Sequence, residues 1–146
     1  MGLLTETEPD CLETAVKALM EERYTLENQM LLRIDRPHTG ESYLVLNDVV
    51  VNRGGYARLI TLDAFAGEEI VGHYVADGLI VATPTGSTGY SLSAGGPVIH
   101  PAVDCVVITP ICAHSLQHRP VVVPGNEKIR LALQGDEESG VVVQVD

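Results

Sequence analysis

The chain has no Trp, one Phe and three Cys among 146 residues. Only 4% of the residues are aromatic, so its core has to be aliphatic. Val, Leu and Ile supply that core, and β-branched side chains favour strands. Cys11, Cys105 and Cys112 are an odd, sparse set, poor material for a disulfide framework. A reducing, cytoplasmic setting is the expectation that follows. Cations are also scarce. Nine Lys and Arg stand against twenty Asp and Glu, a formal net charge of −11. Such a surface repels a phosphate backbone and argues against nucleic acid as a partner. A small anionic ligand stays open, provided hydroxyls and backbone N–H groups hold it in place of a field of Lys and Arg. The opening MGLLTETEPD carries neither a basic segment nor an apolar stretch long enough for a signal or a membrane span. Glu6 stands where the myristoylation pattern needs Ser or Thr. A soluble chain without a membrane partner is therefore expected, and its length fits one domain with a core of its own.

Two kinds of periodicity divide the chain. Leu12, Ala15, Val16, Leu19 and Met20 fall at helical spacing, with Glu13, Lys17, Glu21 and Glu22 opposite. Thr7 and Asp10 resemble a capping box, and Pro9 suits a first helical position. This predicts a helix over residues 9–23. Beyond Tyr24 the pattern turns to short apolar runs separated by turn-formers such as Pro37 to Gly40, Gly54-Gly55 and Ala66-Gly67. Strands are expected over residues 24–34, 43–52, 57–65, 69–75, 103–109, 120–123, 128–133 and 141–145. Short strands with regular turns predict a sandwich. A one-sided helix at the start and a strand at the close suggest a piece of a longer protein.

The residues richest in chemistry lie between Asp77 and Pro97. Thr83, Thr85, Ser87 and Thr88 place four hydroxyls around Pro84 and Gly86, and Gly89, Gly95 and Gly96 allow close approach of a ligand. If Gly86-Ser87-Thr88-Gly89 opens a helix, capped by Ser87 or Thr88, its free N–H groups suit a phosphate or a ribose. Read alone, the same residues are more simply a hydroxyl-capped turn. They are neither a P-loop nor a G-x-G-x-x-G fingerprint. Thr85 also stands where a nucleophile elbow needs Gly. Asn47 and Asp48 interrupt the aliphatic run LVLNDVVV. Two readings fit equally: a bulge or Asx turn, or an amide offered to a heterocycle, which it can both donate to and accept from. Asp77-Gly78 is a common turn dipeptide. Tyr90 is either a core residue or a stacking platform. Cys112, His114 and His118 can be drawn as a metal site, but Pro110 and Pro120 disfavour a helix there and no second ligand pair supports it. No spacing favours a Ser/His/Asp triad.

The run ADGLIVATPTGSTGYSLSAGGPVIHP resembles the long signature of the NAD kinase family. LNDVVVNRG resembles its Asn-Glu/Asp motif, and TPICAHSLQHRPVVVP a third segment. GLLTE and the acidic helix resemble the connection between the family's two domains. The resemblance covers nearly the whole chain. It implies a mainly β, C-terminal β-sandwich domain with an N-terminal helix and a short helix after the Thr/Ser/Gly loop. Residues 1–23 would be linker and helix, and residues 24–146 the NAD-binding domain, truncated at both ends. It implies phosphate transfer from ATP or polyphosphate to the 2′-hydroxyl of the adenosine ribose of NAD, giving NADP, with Mg²⁺ needed by the intact enzyme and none bound by this chain alone.

By the same resemblance Asn47, Asp48, Thr85, Thr88, Gly89, Tyr90 and Ser93 contact the dinucleotide. Asp77 is contributed across a subunit contact of a dimer or tetramer. The family's Gly-Gly-Asp-Gly-Thr motif, which carries the proposed base, is absent from these residues and belongs to the N-terminal α/β domain. No catalytic residue is therefore expected in this chain. Gly89 stands where the family usually has Ala, and Val75 where many members carry a basic residue. The competing expectation is a non-catalytic, self-associating β-sandwich, with or without nucleotide binding.

Overall fold

A computed structural model describes residues 7–54, 59–115, 118–134 and 140–146. A 3₁₀ turn over Pro9–Cys11 leads into α1 (Leu12–Met20). Ten strands follow: β1 (Leu32–Arg36), β2 (Glu41–Val45), β3 (Asp48–Arg53), β4 (Ile60–Ala66), β5 (Glu69–Ala76), β6 (Gly78–Ala82), β7 (Cys105–Ile111), β8 (Val121–Pro124), β9 (Ile129–Leu133) and β10 (Val141–Val145). Between β6 and β7 lie a 3₁₀ turn (Gly86–Thr88) and the four-residue α2 (Tyr90–Ser93).

The strands form a five-stranded sheet in the order β10-β3-β6-β7-β8, a three-stranded sheet β5-β4-β9, and the hairpin β1-β2. All the pairings are antiparallel. The main core lies between the two larger sheets. Val49, Val51, Leu79 and Ile108 from one meet Ile60, Leu62, Ala64 and Tyr74 from the other. Val50, Ile80, Ala82 and Val107 point to the opposite face of the large sheet, where Ala94 and Ile99 cover them. The centre of the large sheet is thus buried on both faces. This is why β6, with all five residues buried, shows no alternation and is missing from the strands expected from sequence. Pro110 falls in β7 opposite Leu79 of β6, past the stretch where β8 pairs the other edge, so its missing N–H breaks no ladder there.

Several expectations change. Residues 24–31 form no strand; pairing starts only at Leu32. The run 43–52 is two strands, because Leu46 and Asn47 turn the chain from the hairpin into the large sheet. The helix begins after Glu8 with no side-chain cap, so the Thr7 capping box is not formed, although Pro9 takes the expected first-turn place. Residues 57 and 58 of the predicted strand lie outside the described residues, as does Gly55 of the Gly54-Gly55 turn. On the outer face of the small sheet, Asp63 is buried between two neighbours, paired with His73 Nδ1 and accepting from Gln134 Nε2. That arrangement ties β4 to β5 on one side and to the end of β9 on the other.

The apolar stripe of α1 is bare: Leu12 is 62% exposed and Met20 81%. Stability therefore resides in the sheets. Leu62→Ala and Leu79→Ala are expected to cost about 2–5 kcal/mol each, whereas Leu12→Ala should stay within about 0.5 kcal/mol. Urea denaturation of the three variants checks this. An equal loss at Leu12 would show that the helix is packed in solution.

Candidate functional site

The site forms where the β2–β3 turn, the loop after β6 and the end of β10 meet. The pivot is Gly86. A methyl group at this position would overlap the backbone of Asn47, including its carbonyl, so only glycine lets the two segments touch. Around that contact the backbones are stitched together. Thr83 donates its N–H to Asn47 O at 2.9 Å and its hydroxyl to Leu46 O at 2.6 Å. Gly86 N–H donates in turn to Thr83 Oγ1 at 3.0 Å. From the other side Asn47 N–H donates to Asp146 O, and Asp146 N–H to Asp48 O, both at 3.1 Å. The Asn47 amide donates to the Asp146 carboxylate at 3.4 Å.

The result is an open cleft of about 430 Å³. Asn47, Asp48, Thr85, Thr88, Gly89 and Tyr90 line it, together with Val50, Gln144, Val145 and Asp146. Six of the eight sequence-predicted residues thus come together. Two do not. Asp77 lies beyond the other end of β6, about 16 Å along the strand from Ala82, the partner of Asp48, at ~3.3 Å per residue, with its N–H donating to Ile111 O. Ser93 is exposed on α2 and does not line the cleft. Gln144 and Asp146 are the residues that sequence reasoning missed. Their only signal is a pairing between β10 and β3, which no local pattern encodes.

The four hydroxyls divide into two pairs. Thr83 and Ser87 are fully buried and structural. Ser87 donates to Pro84 O at 2.6 Å and accepts from Ile99 N–H at 3.0 Å. Thr85 and Thr88 reach the cleft, and Thr88 donates to Thr85 O at 3.2 Å. The expected cap by Ser87 or Thr88 is not made: neither helical turn has a side-chain cap. The expected free N–H groups are also largely spent. Those of Gly86, Ser87 and Gly89 bond within the loop.

The cleft is acidic. Asp48 is buried, and burial raises its pKa above the ordinary carboxylate value, with the Asp146 charge adding to the rise. Two carboxylates, three hydroxyls and two amides line it, and the carboxylates favour hydrogen-bond donors such as ribose hydroxyls or a heterocyclic amine over a phosphate. Tyr90, 46% exposed, offers a ring face at the rim. The alanine methyl of the family pattern would fit at Gly89 only tightly, 3.3 Å from Gly86 O and 3.9 Å from Asp48 Oδ2. Glycine there widens the cleft. Elsewhere, Cys112, His114 and His118 do not assemble a metal site. Cys112 is exposed at φ 48°, His114 donates its backbone N–H to Val75 O, and the His118 ring packs on Tyr74 at 5.3 Å. Among the described residues no group of three His, Cys, Asp or Glu could hold a metal, and no helix is long and apolar enough to cross a membrane.

Fold and cleft together define a β domain of two facing sheets and a hairpin, with a ligand-sized, carboxylate- and hydroxyl-lined opening beside a glycine-dependent loop. Comparison with known proteins carries this further. The model of the ATP-NAD kinase C-terminal domain matches residues 46–146. The NAD kinase of Geotalea daltonii is 45% identical over 141 residues, spanning 94% of this chain and 50% of that protein. That of Moorella thermoacetica is 43% identical over 135 residues, spanning 91% and 43%. Yeast NADH kinase complexed with NADH superposes with a TM-score of 0.88 at 30% identity, over 99% of this chain and 43% of that one. An NAD kinase from Archaeoglobus fulgidus in complex with ATP gives 0.83 at 30% identity, over 99% and 55%. The chain belongs to the NAD kinase family and corresponds to its C-terminal domain. It spans about half the length of the curated relatives it matches.

Two outcomes follow from the geometry. Gly86→Ala should destabilise the domain by at least about 1–3 kcal/mol in urea denaturation, and Gly89→Ala by less. The raised pKa of Asp48 means that its charge opposes folding once the pH exceeds the ordinary carboxylate value of 3.8. Asp48→Asn should therefore melt above the wild type at pH 7, and the gap should close as the pH falls below 3.8. A lower melting temperature at pH 7 would contradict the assignment.

Proposed function

We propose that this domain grips the dinucleotide in a kinase that transfers phosphate from ATP or polyphosphate to the 2′-hydroxyl of the adenosine ribose of NAD, giving NADP. The observation that carries the reading is the convergence of Asn47, Asp48, Thr85, Thr88, Gly89 and Tyr90 on one cleft. The acceptor-rich lining supports it, since ribose hydroxyls and the adenine amine are donors. So do the relatives, which are named NAD kinases, and structural neighbours that hold NADH in one case and ATP in the other. In this reading Asp48 accepts from a ribose hydroxyl, Asn47 meets a heterocycle or amide, and Tyr90 stacks at the rim. Residues 24–146 are the binding domain, and residues 1–23 lead to it from a preceding α/β domain.

The chemistry needs more than the cleft offers. Phosphoryl transfer of this kind is mainly positioning and charge neutralisation, and a base must take the ribose hydroxyl's proton. The carboxylates here repel phosphate, and the cleft presents no cation. The residues present do not fit a dedicated cage for the divalent metal of the intact enzyme, so no step is derived through one. The base, and the grip on the phosphates, fall to the α/β domain. Asp77 and Ser93 stand apart from the cleft within one copy. Asp77 fits the role of a residue given to a neighbouring subunit, which makes a homodimer or tetramer part of the reading, in a cytoplasmic setting. A non-catalytic, self-associating sandwich is the second reading, favoured by exposed apolar residues such as Leu44, Leu92 and Val98.

Incubated with NAD, ATP and Mg²⁺, the purified chain should form no NADP, and addition of a matching α/β domain should start turnover. Turnover by the chain alone would sink the division of labour. Calorimetry should detect NAD binding, weakened at least severalfold by Asn47→Ala, the size expected for one or two lost hydrogen bonds of ~1 kcal/mol. If no binding is seen while sedimentation finds oligomers, the bare scaffold is the better account.

A further inference from the structure

We propose that Gln29 is a positioning residue for this cleft, setting Thr85 as a hydrogen-bond acceptor toward the ligand; the inference rests on the dinucleotide reading given above. Gln29 belongs to the segment between α1 and β1, which has no regular structure and is exposed from residue 21 to 29. The segment is nevertheless anchored at its end. Met30 packs on the cluster of Val81, Val106 and Val123, so tightly beside Gly125 that a methyl group there would overlap its Cε. Leu32 then enters the β1–β2 ladder opposite Val45. Gln29 is held next to these anchors, and its Oε1 accepts the Thr85 hydroxyl at 2.8 Å, across 56 residues of sequence.

Thr85 is 6% exposed and lines the cleft. A hydroxyl carries one proton and two lone pairs. With the proton committed to Gln29, what remains for the cleft is acceptor capacity. A lone threonine hydroxyl would be free to rotate and present either character. The bond also fixes χ1, which for Thr otherwise divides between rotamers. Gln29 thus aligns Thr85 with the carboxylates of Asp48 and Asp146 as one set of acceptors, and selects ligand groups that donate, such as a ribose hydroxyl or an exocyclic amine. Because Gln29 lies outside the sheets, the connection from α1 has a direct hold on the binding loop.

The test compares Gln29→Met, which keeps the length and removes the strong acceptor, with Gln29→Glu, which keeps an acceptor. Three-bond couplings of Thr85 in the whole chain read its rotamer without any ligand. The wild type and Gln29→Glu should show one rotamer and Gln29→Met an average, with the melting temperature unchanged because residue 29 is exposed. NAD titration should find Gln29→Met weaker by roughly three- to tenfold, the scale of one hydrogen bond. Unchanged Thr85 couplings in Gln29→Met would overturn the proposal, as would a loosened Thr85 with unchanged NAD affinity. Failure of the wild type to bind NAD would instead overturn the dinucleotide reading, while the couplings still decide whether Gln29 holds Thr85.

Discussion

Everything at the cleft depends on one steric fact: the backbone at residue 86 touches the backbone at residue 47 with no side chain between them. That contact brings a polar turn between two strands against a hydroxyl-rich loop. Thr83 then supplies the bonds that hold it, through its N–H, its hydroxyl and the Gly86 N–H that it accepts. The loop is rigid for the same reason. Thr83, Ser87 and Ser91 are fully buried, and each spends its hydroxyl on a bond inside the protein. Thr85 and Thr88 also donate within the protein, but theirs are the threonine hydroxyls that reach the cleft.

The charge of the chain finds its local meaning here. An overall charge of −11 argues against polyanions at large, and the cleft repeats the argument at close range with Asp48 and Asp146. Burying a carboxylate beside another costs the folded state free energy. In the dinucleotide reading that cost is offset where ribose hydroxyls and the adenine amine complete the carboxylates' hydrogen bonds. Function and stability therefore pull against each other at Asp48, as they often do in binding sites.

Much of this was legible from sequence, and the failures have identifiable causes. Half-buried strands such as β9 show their alternation plainly, and α1 shows its stripe. The β6 strand hides because both faces of its sheet are covered, which erases the period-two signal. The run 43–52 looks continuous because Leu46 and Asn47 are a turn made of residues that could equally continue a strand. Within the hydroxyl loop, the sequence supplies the right residues but not which hydroxyls point inward; Ser87 and Thr88 are adjacent and end in different environments. Gln29, Gln144 and Asp146 reach the cleft through contacts made far along the chain, and nothing local marks them. The family signature groups six residues that line one cleft, but it too leaves out Gln29, Gln144 and Asp146.

The pairing of β3 with β10 has a consequence in time. Asn47 and Asp146 are 99 residues apart, and β3 sits between β10 and β6. Contacts of such long separation are made only after the entropy of closing the intervening loop has been overcome. The hydroxyl loop and the Asn47 turn are nearer to one another in the chain and can meet first. During synthesis, therefore, one wall of the cleft is assembled early and stands open until β10 emerges and docks. A ligand that bridges both walls would favour the docked form by binding it alone, so a cell's supply of that ligand would bear on what share of newly made chains holds the finished shape.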